Sequence, residues 1–303
     1  MDEKHYNDFG SWIKKKLGCK VQKISIDAGL SCPNRDGTRG TGGCIFCDNM
    51  AFSPAYCSGG MSIKEQISKG IKFFKRKYTG MKYLAYFQSF TNTYSSLDKL
   101  RRIYEEALDV EDVVGMVIGT RPDCVADDLL DYLEQLARQT FLIVEYGIES
   151  TNDRTLEYIN RGHTFECSKE TISRTKDREI TVGGHIILGL PGETREDNII
   201  EAEILTRMGL DIVKLHQLQV IEGTRLAEIY SKDKFKLYNL DEYIELAASF
   251  IQHSGKNIVF DRFASQAPDK MIIAPKWGIK SHEFTDKLDC YLRRNNIFQG
   301  ELI

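Results

Sequence analysis

The sequence predicts an α/β fold: a partial (β/α)6 barrel, TIM-like, followed by a C-terminal α/β extension. Three observations predict it. Six apolar, strand-like runs alternate with helical patterns, the mark of a parallel sheet with helices on its outside. After the first run, where a doubly wound nucleotide-binding sheet wants Gly-x-Gly-x-x-Gly, stands a long cysteine loop. A length of 303 residues, 42% hydrophobic and 28% charged, suits one barrel with a short appendage and a large core.

The strand-like runs are 23–30, 83–89, 113–120, 141–148, 181–190 and 211–220. An N-terminal helix precedes them. Helical patterns fill the gaps at 62–78, 96–108, 126–138, 151–160 with 166–177, and 193–208. Ser62 and Ser96 stand where N-caps belong, since a short hydroxyl side chain can accept from the first free amides of a helix. Residues 1–224 are expected to form the barrel, with 225–303 packed on it. In the extension a helix is expected over 241–253, a short apolar run over 257–263, a loop over 265–270, a further stretch over 271–277 and an amphipathic helix over 281–294. Pro268 and Pro275 mark irregular backbone there.

Composition narrows the function classes. No apolar run is long enough to span a membrane, and residues 1–6 carry no apolar leader, so no membrane association and a cytoplasmic location are expected. Eight cysteines in that context point to metal or redox use rather than disulfides. A net charge of −3 exerts no global pull on nucleic acid, and it leaves room for a local basic groove. The densest basic run, Lys69, Lys72, Lys75, Arg76, Lys77 and Lys82, reads as the solvated face of a helix.

The chemistry is concentrated after the first strand. Cys32, Cys44 and Cys47 stand in a loop rich in glycine (Gly37, Gly40, Gly42, Gly43). Three thiolates can hold three irons of a cubane cluster and leave the fourth iron open, whereas a structural site normally closes with a fourth ligand. Structural zinc with Cys57 as fourth ligand, and a free thioredoxin-like thiol pair, remain alternatives on spacing alone. Other polar residues recur at strand ends. Glu145 and Glu149 share one face of strand four and need a ligand or a cation such as Arg121, because a buried unpaired carboxylate is too costly. Lys214 and His216 share a face of strand six, and a lysine inside a barrel likewise needs a charged partner or substrate. Gly183, Gly184, Gly189 and Gly192 around strand five suggest close approach of a ligand to the backbone.

These residues together resemble the radical S-adenosylmethionine (SAM) superfamily: the cysteine loop, Phe46 before its last cysteine, and six β/α units. The gap of eleven residues between Cys32 and Cys44 departs from the usual C-x-x-x-C-x-aromatic-C. It is similar to the subgroup around the Elongator catalytic subunit and its small bacterial relatives of the YhcC and YtqA type. Further matches are Thr120-Arg121-Pro122-Asp123, the run from Glu145 to Ser150, Arg161-Gly162-His163-Thr164, the run from Gly184 to Glu193, and Lys214-Leu215-His216 with Gly223-Thr224. The resemblance covers about residues 20–280. The usual Gly-Gly-Glu after strand two is replaced by Gln88-Ser89-Phe90-Thr91-Asn92-Thr93.

The resemblance implies a [4Fe–4S] cluster on Cys32, Cys44 and Cys47 and SAM as cofactor. It also implies an electron donor such as a flavodoxin or ferredoxin, and a tRNA substrate whose wobble uridine loses part of its C5 side chain, carboxymethylaminomethyl becoming aminomethyl. Acetyl transfer is not expected of a chain this short. Contacts to SAM fall on Phe46, Gln88, Glu145, Glu149, His185 and Gly189. Arg121, Lys214, His216, Arg262 and Lys276 are expected to meet the substrate, and no catalytic residue is assigned. A radical enzyme for a small molecule, of the coproporphyrinogen-oxidase kind, and a zinc-stabilised RNA-binding module are the rival readings. Replacing Cys32, Cys44 or Cys47 by Ala should each abolish the brown absorbance of anaerobically purified protein, whereas Cys57→Ala should retain it. Loss of metal in Cys57→Ala would favour the four-cysteine zinc site.

Overall fold

The computed structural model describes residues 4–48, 53–54, 56–57, 60–75, 80–265 and 267–303. Arg76 and Lys77 of the basic run, and Gln266 of the loop after residue 264, lie outside them. The elements run α1 (Phe9–Leu17), β1 (Val21–Ile26), α2 (Ile63–Lys75), β2 (Lys82–Phe87), α3 (Leu97–Leu108), β3 (Val113–Thr120), α4 (Asp127–Ala137), β4 (Phe141–Glu149), α5 (Asp153–Tyr158), α6 (Phe165–Lys176) and β5 (Thr181–Leu188). They continue with α7 (Arg195–Arg207), β6 (Ile212–Gln217), β7 (Val220–Ile221), α8 (Arg225–Lys232), α9 (Leu240–Gln252), β8 (Val259–Arg262), β9 (Ile272–Ala274) and α10 (Ser281–Arg294).

All six expected strands form, in parallel and in sequence order. The sheet holds one strand more than expected. β8, from the apolar run at 257–263, pairs in parallel with β6 and makes the sheet seven-stranded in the order β1-β2-β3-β4-β5-β6-β8. Only four residues long and interrupted by Asp261, the run showed no clear alternation. A short antiparallel pair, β7 with β9, and the helix α8 are also additions.

Flat, seven strands would hold their outer members about 29 Å apart. Here the side chains of Lys23 on β1 and Asp261 on β8 meet at 2.9 Å, so the sheet is curled until its edges face one another across a lumen. The N-terminal segment fills the seam between them. Asp8 bridges Phe260 in parallel, and the amide of Phe260 donates to the Asn7 carbonyl at 2.8 Å. α1 follows, its Asp8 cap accepting from the Ser11 amide, and plugs the N-terminal end of the lumen. Ile13, Trp12 and Phe9 pack there on Leu84, Val117, Ile143, Ile212 and Val259.

Strand alternation divides the remaining side chains. One set faces the helices and makes the main core, with Ile24, Ile26, Ala85, Phe87, Ile118, Val144, Tyr146, Ile186 and Leu215 all buried. The other set faces the lumen. On α2, Lys69, Lys72 and Lys75 are exposed, as a solvated face requires. Among the described residues no helix is long and apolar enough to cross a membrane.

Between the ends of β4 and β5 and α7 lies a buried acidic pair. Ser150 Oγ donates to Glu193 Oε1 at 2.5 Å, and the Thr151 amide donates to Glu201 Oε1 at 2.8 Å. Burial, reinforced by Glu193, raises the Glu201 carboxyl well above the ordinary range. A raised folded pKa gives full stability below the unfolded value, about 4.3, which is lost as pH climbs toward the folded one. Glu201→Gln should therefore raise the melting temperature by on the order of 2 °C at pH 8 and by less at pH 5. An equal gain at both pH values would show that the acid is not protonated in the fold.

Candidate active site

The lumen is layered. Above the apolar plug sits an ionic layer drawn from six strands. Lys23 (β1) reaches Glu145 (β4) at 2.8 Å and Asp261 (β8) at 2.9 Å. Lys214 (β6) reaches the same two carboxylates at 3.0 and 3.2 Å and the Tyr86 hydroxyl (β2) at 2.8 Å. His185 (β5) shares Glu145 at 2.8 Å. The two lysines balance the two carboxylates. Burial alone would push Glu145 and Asp261 upward. Against it, Lys214 and Lys23 hold Glu145 well below the usual carboxylate range, and the same two lysines bring Asp261 down to about 2. Gly183, beside Glu145 on β5, makes room for it, because a Cβ there would lie 3.0 Å from Glu145 Cγ.

Above this layer opens a cavity of about 240 Å3, at the C-terminal ends of the strands, where barrels keep their chemistry. Cys32, Cys44 and Cys47 line it from the loop after β1, together with Phe46, Gln88, Glu145, Glu149, His185, His216 and Arg262. Cys57 lies apart, its thiol against Gln66 Oε1 at 3.4 Å, and all eight cysteines are free thiols. Two lining residues, Phe90 and Glu149, hold left-handed backbone, with φ of 63° and 70°. Such conformations are costly for these residue types and recur at functional sites.

Cations surround the thiols. Arg161 Nη1 approaches Cys44 Sγ at 3.6 Å, its Nη2 donates to the Gly147 carbonyl at 2.6 Å, and it stands 3.7 Å from Glu149. Asn34 Nδ2 lies 3.8 Å from the same sulfur, and Arg35 donates to the Cys47 carbonyl at 2.6 Å. Among the described residues Arg161 Nε and Arg121 Nη1 are buried without a partner. No three His, Cys, Asp or Glu side chains there gather tightly enough to hold a single metal ion. Three separated thiols backed by unsatisfied cationic N–H groups fit a cluster, three irons of which would each take one thiolate while the assembly carries negative charge.

Several expected roles change. Glu145 belongs to the ionic layer, and Lys214, only 3% exposed, is bound within it rather than free for phosphate. Arg121 is also buried, held by Asp123 at 2.9 Å and by the Arg161 carbonyl at 2.8 Å, so it does not stand at the rim. The cation beside Glu149 is Arg161 instead of Arg121. Gly189 is outside the cavity. It has φ +86°, and a Cβ would strike Tyr238 at 2.9 Å, while the amide donates to Asn198. Gly184 is likewise packed against Ile148 and Leu210. Lys276 opens onto a neighbouring cavity. His216 donates to or accepts from Ser265, and burial with the nearby His185 and Arg262 keeps it neutral. The sequence reading missed Lys23, Asp261 and Tyr86. Their signal was a charged or polar residue at an inward position of an otherwise apolar strand.

A model of the radical SAM superfamily matches residues 35–202, more than half of the chain. The chain belongs to the radical SAM superfamily. The model of the radical SAM C-terminal domain matches residues 210–294, which include β8. Protein YhcC of Escherichia coli K12 is 34% identical over 302 residues, 99% of this chain and 96% of that protein. A tRNA uridine(34) acetyltransferase of Methanocaldococcus jannaschii is 28% identical over 67% of this chain and 37% of its own length. The structure of the archaeal Methanocaldococcus infernus Elp3 superposes with a TM-score of 0.70 at 19% identity, covering 92% of this chain and 64% of that one, a likeness of fold. The cofactors expected from the sequence, a [4Fe–4S] cluster and SAM, are those of this radical SAM family.

Lys214→Met should cost about 3–5 kcal/mol, because it leaves Glu145 and Asp261 one cation short in a buried site. The check is the denaturant midpoint at neutral pH. A change under about 1 kcal/mol would mean that water already screens the layer.

Proposed function

We propose that this radical SAM enzyme modifies tRNA, converting a carboxymethylaminomethyl group at C5 of the wobble uridine to aminomethyl. The observation that carries the reading is the single cavity on which the three thiols, Glu149 and the exposed Arg262 all open. Support for tRNA comes from the relatives, among them a uridine-34 enzyme by name. Bound together, the cluster and SAM supply the means of taking a hydrogen atom from an unactivated carbon.

The chain's own residues have distinct tasks in this reading. Cys32, Cys44 and Cys47 hold the cluster, Arg161 and Arg35 offset its charge, and Asn34 turns an N–H toward the Cys44 sulfur. Glu149 and Gln88 accept or donate to the polar groups of SAM, and Phe46 covers it. The ionic layer forms a floor that does not yield, so the cofactor rests on fixed charges rather than on water. Neutral His216 offers a ring nitrogen without adding charge near the cluster. Arg262 meets substrate phosphate at the rim.

The deciding experiment is nucleoside mass spectrometry of tRNA from cells lacking the protein. The carboxymethylaminomethyl nucleoside should accumulate and the aminomethyl one fall, and an unchanged profile would overturn the assignment. Glu149→Ala should weaken SAM binding about tenfold while the cluster absorbance stays, since one charge-assisted hydrogen bond is worth about 1.5–3 kcal/mol. Arg262→Ala should weaken tRNA binding and lower the salt slope by about one, whereas Lys75→Ala on α2 should leave both alone.

A further inference from the structure

A second cavity, of about 290 Å3, adjoins the first, and the two share Gln217, Gln219 and Ser265 as a common wall. Two of these wall residues are locked together. Gln217 Nε2 donates to the Ser265 carbonyl at 2.7 Å, and the Ser265 amide donates back to Gln217 Oε1 at 2.6 Å. The third is not. Gln219 is 8% exposed, and its Oε1 is buried with no hydrogen-bond partner among the described residues. An amide oxygen left in that state costs about 1–3 kcal/mol, so a donor brought to it is rewarded accordingly. The cavity is also lined by Lys276 and Lys280, both exposed, neither in an ion pair among the described residues.

Volume decides between one site and two. SAM is the size of a drug-like ligand, for which cavities of about 300–1,000 Å3 are usual. A ligand of that size would by itself fill the first cavity, at about 240 Å3. The remainder of a larger substrate needs further room beside that point, and the second cavity adjoins it across Gln217, Gln219 and Ser265. Its lining combines a buried amide oxygen on the shared wall with two exposed cations. That pairing matches a nucleotide, whose base presents N–H donors and whose phosphate presents negative charge.

We propose that the second cavity is a subsite for the nucleotide that flanks the reacting one in a single-stranded RNA segment. Its base donates to Gln219, and its phosphate lies against Lys276 and Lys280. The proposal rests on the RNA reading above and deepens it. The flanking nucleotide anchors the strand while its neighbour enters the first cavity, so the enzyme reads two nucleotides through two chambers with one polar wall between them.

The test compares uridine monophosphate with a uridine-centred trinucleotide, both bound to the cluster-loaded protein with SAM present. The wild type should bind the trinucleotide at least tenfold tighter. Lys276→Ala and Lys280→Ala should each remove most of that advantage, about tenfold, and leave monophosphate affinity unchanged, while Gln219→Leu, on the shared wall, should weaken the trinucleotide more than the monophosphate. Lys276→Ala should also lower the salt slope by about one, and Gln219→Leu should leave it alone. Lys276 is exposed, so its variant keeps the test valid if Gln219→Leu fails to fold. Variants that weaken both probes equally would place these residues at the first cavity and overturn the subsite while the RNA reading stands. A wild type that binds neither probe would overturn both.

Discussion

Two lysines and two carboxylates in the middle of the lumen are the contact on which this architecture depends. Lys23, Glu145, Lys214 and Asp261 come from four strands, including both edges of the sheet, and Tyr86 and His185 join them from two more. A sheet whose outer strands are not hydrogen-bonded to one another has no backbone reason to hold a fixed curvature. The ionic layer provides one. It is a demanding choice, since four desolvated charges contribute favourably only when every one is matched. Its return is geometric: four centres fix the strands they spring from more tightly than apolar contacts of the same size.

That rigidity sits directly below the cavity and determines what the cavity can do. Charges neutralised among themselves cannot also serve a ligand, so Glu145 and Lys214 support the site from beneath. Glu149 and Arg262, which line the cavity outside that layer, are the binding groups in the function proposed above. The same separation explains the glycines. Gly183 gives Glu145 its space, and Gly147 gives Arg161 its route to Cys44, where a Cβ would stand 2.6 Å from Arg161 Nη2. Both are small because a protein side chain occupies the room.

Much of this was legible in the sequence, and the boundary of legibility is physical. Strands β1 to β6 announce themselves because each is a long apolar run, and the cysteine loop because its spacing has few other uses. β8 is four residues with an aspartate in the middle, and only its partner on β6 makes it a strand. The three thiols stand in one loop of the sequence, where spacing alone leaves zinc and free thiols open and the family resemblance implies a shared cluster. The N–H donors around them could not be read there, because Asn34, Arg35 and Arg161 converge only after the loop has folded against β4. Lys214 shows the same limit from the other side. A lysine at an inward position has to be paired, and the sequence does not say whether its partner is the protein or the substrate.

The N-terminal segment sets the order in which the molecule can be made. Asn7 and Asp8 pair with Phe260, and α1 closes the lumen against strands ending in Val259. A ribosome therefore releases α1 long before β8, its resting place. For most of synthesis the apolar face of α1 has no seam to enter, and Lys23 waits for Asp261. The floor of the barrel is completed only when Asp261 has emerged, 238 residues after Lys23, which makes the nascent chain, rather than the finished enzyme, the state most in need of a chaperone.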